Sequence, residues 1–327
     1  MAEEDEDKTA FYAGGRVFSY KKMPFGLKNA GETYLRLVDK VFIHQIRRNL
    51  EAYVYDKVIK STSEKEMLKD IKETFERFRS INMKLNPKKC SFGVEERPFL
   101  GHVVTKQGIK DNPSKVKAVL DLDQPRTLKD IQSLNGKLAA LNRFLSKGTE
   151  RSLAFFKVLK GYKDKKKIQW TTKADKALEK IKKLVQALPT LTAPRVGETL
   201  TMHLAASRES INVVLAAKIN EGWTPIYFVS RMIQGAELNY PALEKLVLAL
   251  VHAARRLQRY FQAHTITVLT NTPIKQMLTR LEKTRRKAKW AIELGEHCHT
   301  PKRGLDGIRV RGRDVIIFII QSTNNDY

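Results

Sequence analysis

The stretch Leu50-Glu-Ala-Tyr-Val-Tyr-Asp-Lys-Val-Ile-Lys-Ser61 constrains the fold more than any other part of the sequence. Two short runs rich in Val, Ile and Tyr, Ala52–Tyr55 and Val58–Lys60, flank Asp56-Lys57. Such residues favour pleated strands, and Asp and Lys suit a turn, so the stretch predicts a β-hairpin turning at Asp56-Lys57. A carboxylate near that tip would sit on a rigid element, as a metal-assisted phosphoryl-transfer site requires. Taken alone, these residues are better read as a solvated hairpin with an ordinary turn Asp. The surrounding chain has to decide.

Charge narrows the classes first. The 327 residues carry 61 Lys and Arg against 35 Asp and Glu, a formal net charge of +26 with a pI near 10.0. That imbalance predicts a polyanionic partner, most simply nucleic acid. An anionic membrane is the rival, but no apolar run is long enough to span one and no signal-peptide pattern opens the chain. Cys90 and Cys298 make neither a zinc set nor a disulfide framework, which points to a reducing, intracellular compartment, cytoplasmic or nuclear. The length suits about two domains.

In chain order, the acids Glu3–Asp7 predict a disordered start at residues 1–7. Phe11–Tyr20 predicts a hairpin around Gly14-Gly15. Met23-Pro-Phe-Gly-Leu-Lys-Asn-Ala-Gly-Glu-Thr-Tyr34 is a Pro/Gly turn entering a helix Ala30–Arg47, with Asn29 or a neighbour as its cap. A helix start beside Lys21, Lys22 and Lys28 suits a phosphate, although a plain loop-to-helix junction fits as well. Ser63–Ser80 is an amphipathic helix with Met67, Leu68, Ile71, Phe75 and Phe78 on one face. Arg97–Val104 reads as a hairpin arm turning near Lys106-Gln-Gly108, with His102 a lone imidazole. Two helices follow within Asp111–Leu145, the second opened by Thr127 with Asp130 three residues on, close to a capping box. Lys157, Lys160, Lys163, Lys165, Lys166 and Lys167 then precede Trp170. A lysine run is usually a solvated face, but with this net charge it favours phosphate contact. Thr190–Thr199 is the expected linker. Beyond it come strands Leu200–Leu204, Ile211–Ile219 and Pro225–Arg231, a helix Pro241–Phe261, a strand Thr265–Thr270, helices Pro273–Leu281 and Arg286–Glu296, and an apolar strand Val315–Ile320.

From about Thr9 to Ile320, this order of motifs resembles the polymerase polyprotein of gypsy-class LTR retrotransposons, especially plant ones. The resemblance makes Met23–Ala30 the loop and helix beneath incoming nucleotide and template, and so implies Pro24, Phe25, Gly26, Asn29 and Tyr53 as substrate-binding residues. Tyr53-Val54-Tyr55-Asp56 falls where the family carries Tyr-Val-Asp-Asp, which implies Asp56 as the catalytic, Mg²⁺-binding carboxylate. Phe99-Leu-Gly-His102 matches the primer-positioning hairpin, and the helices after Asp111 match the thumb. The C-terminal element order resembles the RNase H fold.

Departures from the family pattern bear on chemistry. Tyr55 replaces the first Asp of the pair, and the family places another catalytic Asp on a strand upstream of Thr9. A Tyr phenol is a poor hard-ion ligand at neutral pH, so Mg²⁺ binding is expected to be weak or lost. In the RNase H-like segment, the family carboxylates fall on Ala205, Leu246 and Asn271, while Glu244 lies two helix positions from Leu246, rotated about 200° away. Without the first palm strand, the Ala52–Ile59 hairpin is expected to have an exposed edge.

The sequence thus predicts an α+β protein: an acidic start (1–7), a truncated polymerase palm (8–110), a helical thumb/connection (111–190), a linker (191–199) and an α/β RNase H-like domain (200–327). Its expected function is that of a reverse transcriptase/RNase H-like fragment that binds RNA, DNA or their hybrid as template-primer but is catalytically defective. Alternatives are a structural partner of an intact reverse transcriptase chain, or an active polymerase if the absent carboxylates come from elsewhere.

Overall fold

The computed structural model describes all residues except 25, 62, 162–169, 196, 220–221, 270–273, 275–284, 298–315 and 322–327. The chain divides into two compact units, Met1–Phe99 with Gly312–Tyr327, and Leu100–Arg311. Residues 191–199, expected as a linker, fall inside the second unit.

In the first unit, the acidic start is a short helical turn, Glu3–Glu6, where disorder was expected. Strands β1 (Phe11–Ala13) and β2 (Arg16–Phe18) form the expected hairpin. Gly14 and Gly15 both have positive φ, 57° and 78°, the conformation a two-residue turn of this hand demands. Helix α1 (Ala30–Val41) stops short of the expected Arg47. Arg47 sits at φ 69°, which a right-handed helix cannot accommodate. Gln45 and Asn49 turn instead to the next helix, donating to Thr74 Oγ1 at 3.0 Å and Asp70 Oδ1 at 2.6 Å. Strands β3 (Leu50–Tyr53) and β4 (Asp56–Ser61) make the central hairpin. Helix α2 (Glu64–Ser80) starts at Ser63, whose hydroxyl accepts from the Glu66 amide. Strands β5 (Ser91–Val94) and β6 (Glu96–Phe99) follow.

The second unit opens with hairpin β7 (His102–Thr105) and β8 (Gly108–Asp111), turning where expected. Helices α3 (Pro113–Leu120), α4 (Leu128–Leu141), α5 (Gly148–Gly161) and α6 (Thr172–Gln186) come next. The Thr127–Asp130 capping box is present in both directions. Ile131, Leu134, Leu138, Leu141, Phe155 and Ile181 build the helical core. Then come β9 (Leu200–Ala206), β10 (Ser210–Ile219), β11 (Gly222–Met232), α7 (Ala242–Arg256), α8 (Gln258–Ala263), β12 (Ile266–Leu269) and α9 (Arg285–His297). The sheet order is β11-β10-β9-β12, with only β12 parallel to its neighbour. Helix α7 covers the sheet, burying Val247, Leu248, Leu250 and Val251. The helix expected over Pro273–Leu281 lies outside the described residues apart from Ile274, which is buried.

Two features bind the preceding helices and the β7–β8 hairpin to this sheet. Asn212 of β10 donates to Glu150 Oε2 of α5 at 3.0 Å and accepts from Ser230 of β11 at 2.7 Å. Leu191 exchanges both backbone hydrogen bonds with Ile109 of β8, at 2.7 and 2.9 Å, and the next amide, Thr192, donates to Pro225 of β11. A Pro/Thr-rich stretch reads as a linker, yet its first residues are clamped from both sides. Gly108 makes this possible, because a Cβ there would lie 2.0 Å from the Leu191 carbonyl oxygen.

The last strand, β13 (Ile316–Gln321), returns to the first unit. The sheet order there is β3-β4-β13-β5. The expected exposed edge of the central hairpin is therefore covered at β4, and the apolar strand expected to extend the RNase H-like segment belongs to the sheet of the first unit. Among the described residues, no helix is long and apolar enough to cross a membrane.

Candidate functional site

The loop before α1 and the tip of the central hairpin enclose a pocket of about 610 Å³, with Pro24, Gly26, Leu27, Tyr34, Leu37 and Tyr55 among its lining. Two expected substrate residues, Pro24 and Gly26, are thus brought to Tyr55. Phe25 lies outside the described residues. Asn29 holds the N-cap position without a side-chain capping bond; its carbonyl accepts from the Thr33 amide at 3.0 Å. Tyr53 is 57% exposed and does not line the pocket.

The hairpin turns two residues earlier than Asp56-Lys57. Tyr53 pairs with Asp56, leaving Val54 and Tyr55 as the turn. Val54 has φ 47°, a conformation that a β-branched residue resists. Side-chain propensities favour Asp-Lys as a turn, and they carry no signal for a strained Val.

The shift moves Asp56 and Lys57 into β4, and Lys57 becomes fully buried. It shares the core face with Ile59, two residues on. Its Nζ donates to Tyr34 Oη at 2.5 Å and lies 4.8 Å from the centroid of that ring and 5.8 Å from that of Phe78. Tyr34 in turn stacks obliquely on Tyr55 at 4.8 Å. Burial pulls the Lys57 pKa down to about 8, against the opposing pull of the Asp56 charge. Sequence reasoning missed this lysine. Its signal was the period of two, legible only once the turn is set at Val54-Tyr55.

A divalent hard cation needs several anionic oxygens. Here one carboxylate, Asp56, adjoins a phenol and a buried amine, and the described residues contain no group of three His, Cys, Asp or Glu able to hold a metal ion. The residues at the hairpin do not fit Mg²⁺.

In the second unit, the positions matched to RNase H carboxylates are equally short of ligands. Ala205 is exposed on β9, paired in register with Asn212. Leu246, on α7, is partly buried against the core. Asn271 lies outside the described residues. Glu244 is buried and accepts from Arg286 of α9, whose guanidinium lies 4.1 Å from the Tyr240 ring centroid and 5.6 Å from that of Trp290. Its carboxylate is engaged in packing α9 onto α7.

The remaining candidates are scattered. Phe99 ends β6; Leu100 is exposed at φ 50°, and Gly101 leads into His102 at the start of β7. The His102 ring lies 5.4 Å from Phe144, and its Nδ1 is 3.8 Å from Asp111 Oδ1, too far for a hydrogen bond. Burial first, then the charges of Lys115 and Arg143, hold His102 below its ordinary pKa, so it is neutral at pH 7. Lys157 is exposed and pairs with Glu209 at 2.8 Å, and Lys160 is exposed on the same helix. Lys163, Lys165, Lys166 and Lys167 lie outside the described residues.

This arrangement of a loop, helix and central hairpin, followed by helices and a four-stranded sheet, has known counterparts. Residues 1–104 match the reverse transcriptase (RNA-dependent DNA polymerase) family, and residues 170–268 match the RNase H-like domain found in reverse transcriptase. The chain thus carries two domains of retrotransposon Pol proteins, and its relatives include the gypsy class. It is 31% identical, over 91% of its length, to the retrovirus-related Pol polyprotein from transposon 297 of Drosophila melanogaster, and covers 28% of that protein. With the Pol polyprotein from transposon gypsy of the same organism, identity is 27% over 83% of this chain and 27% of the relative. The chain therefore spans about a quarter of the length of these relatives. In fold it is similar to the foamy viral protease-reverse transcriptase solved with dsDNA, at a TM-score of 0.79 and 21% identity, covering 92% of this chain and 63% of that one. The same viral protein solved with an RNA/DNA hybrid gives a TM-score of 0.75 at 20% identity, covering 94% of this chain and 42% of that one.

Proposed function

We propose that this chain is a nucleic-acid-binding member of the reverse transcriptase/RNase H-like group that holds RNA, DNA or their hybrid without turning it over. In this reading residues 8–110 act as palm, 111–190 as thumb and connection, and 200–327 as the RNase H-like domain. One observation carries it: at the tip of the central hairpin Tyr55 lines the pocket and Lys57 is buried close by, so of the two positions that the resemblance gives to carboxylates one holds a phenol, and the other, Asp56, adjoins a buried amine. Phosphoryl transfer depends on stabilising charge on the transferring group, and a single carboxylate supplies little of that. Mg²⁺ binding at Asp56 is weak or lost. The net charge of +26 supports the binding half, as do exposed lysines such as Lys160.

The test has two arms. Primer extension on an RNA template with Mg²⁺ is expected to show no turnover, with Asp56→Ala indistinguishable from wild type; turnover that Asp56→Ala abolishes would overturn the reading. Binding of an RNA/DNA hybrid is expected to weaken by roughly 10³-fold or more between 50 and 200 mM salt, as counterion release predicts for many phosphate contacts. A flat salt response would remove the argument from charge.

A further inference from the structure

Strands β4 and β5 do not pair with each other. Between them lies β13, drawn from residues 316–321, which pairs antiparallel with both. The match to β4 is continuous over the whole strand, from Ile316 opposite Ser61 to Gln321 opposite Asp56. On the other edge the register shifts between Ile317 and Ile319, so β5 is the looser neighbour. The sequence Ile-Ile-Phe-Ile-Ile-Gln suits this place, since β-branched and aromatic residues favour a strand between two neighbours. Remove it, and β4 has an open row of backbone donors and acceptors while β5 loses its partner among the described strands of this sheet.

We propose that the gap between β4 and β5 is a strand-acceptor site, and that residues 316–321 of the same chain fill it as a plug that closes the palm-like sheet. The plug sets a neutral amide residue, Gln321, at the register position facing Asp56. The inference rests on the sheet topology and is independent of whether the chain binds or processes nucleic acid. A second copy donating its own strand is the competing occupant.

A disulfide trap on the full chain decides between them. Directly opposed residues of an antiparallel pair bring their Cβ atoms to about 4.5–5.5 Å, close enough for a bond after small adjustment. Lys60 and Ile317 are such a pair, whereas Phe318 is opposed to Ile59. In a Cys90→Ser, Cys298→Ser background, Lys60→Cys with Ile317→Cys is expected to oxidise mostly to an intrachain disulfide, at a rate independent of protein concentration. Lys60→Cys with Phe318→Cys is expected to give at least fivefold less. A disulfide that forms between chains, faster at higher concentration, would overturn the assignment of a same-chain plug. Equal yields in the two pairs, or none in either, would overturn the acceptor site itself. As a second measurement, Ile319→Pro is expected to speed hydrogen exchange across Val58–Ser61 at least tenfold and leave β9–β11 unchanged. Unchanged exchange in β4 would count against the plug, and should the variant unfold altogether, the disulfide yields still decide.

Discussion

The two sheets of this protein are built on opposite terms. The sheet of the second unit is assembled from consecutive strands, β9 to β11, with a ladder running from Ser210 opposite Met232 to Ile219 opposite Gly222, and an apolar helix across it. The sheet of the first unit has short strands, a left-handed Val54 at its hairpin, a fully buried Lys57 and a central strand from the far end of the sequence. Both carry non-carboxylate residues where the resemblance puts catalytic ones. In the second unit these changes sit quietly: Ala205 is a small exposed strand residue, and Leu246 adds to the core. In the first, Tyr55 stands at the hairpin turn beside a left-handed Val54 and close to a buried Lys57. One sheet is completed by strands that are neighbours in sequence, whereas the other depends on a strand from residues 316–321.

Three variants would break or sharpen that contrast. Tryptophans 170, 223 and 290 all lie in the second unit, so their fluorescence follows its unfolding alone. The largest effect is expected from Gly108→Ala, whose new Cβ would collide with the Leu191 carbonyl oxygen. It should destabilise the second unit by about 3 kcal/mol, lowering the urea midpoint of the fluorescence transition. A wild-type midpoint would show that the clamp at Leu191 is dispensable.

Next comes Lys57→Met, expected to stabilise the first unit by roughly 2 kcal/mol at pH 7, because an apolar chain of similar length has no charge to desolvate. The pH dependence follows from the direction of the shift. Folded Lys57 has a pKa of about 8 against 10.5 in the unfolded chain, so between these values the unfolded state binds the extra proton and wild-type stability rises with pH. The advantage of Lys57→Met should therefore shrink between pH 8 and 10.5, as read by pulse proteolysis in urea with detection of first-unit fragments. An advantage that is constant with pH would mean that the burial cost lies elsewhere. The smallest effect is expected at Val54→Gly, which relieves the left-handed strain and should stabilise the hairpin by about 0.5–1 kcal/mol, seen as slower hydrogen exchange in β3 and β4. Faster exchange would show that Val54 contributes more by contact than it costs in conformation.

Local elements were legible in the sequence because their causes are local. The helix beginning near Ser63, the Thr127–Asp130 box and the Gly14-Gly15 turn were each readable from a few residues, and so was the succession of strands from Leu200 onward. The turn of the central hairpin was misread by two residues because tertiary context holds Val54 where its own preference would not. Lys57 was then invisible as a core residue, since its face depends on that register. The place of Ile316–Gln321 was beyond reach: periodicity announces a strand but not its partners, and the nearest apolar strands in sequence were the wrong ones. At the candidate site, the replacement of carboxylates could be read directly, while the Lys57–Tyr34 contact could not.

The position of β13 also bears on how the protein comes into being. A ribosome delivers β3, β4 and β5 early, then makes the whole second unit before residues 316–321 emerge. At about 5–20 residues per second, the first unit waits roughly 10–45 s with its sheet unfinished, while the second can fold as soon as it leaves the exit tunnel. Of these two sheets, the one whose strands β3 to β5 are made first is thus the one completed last.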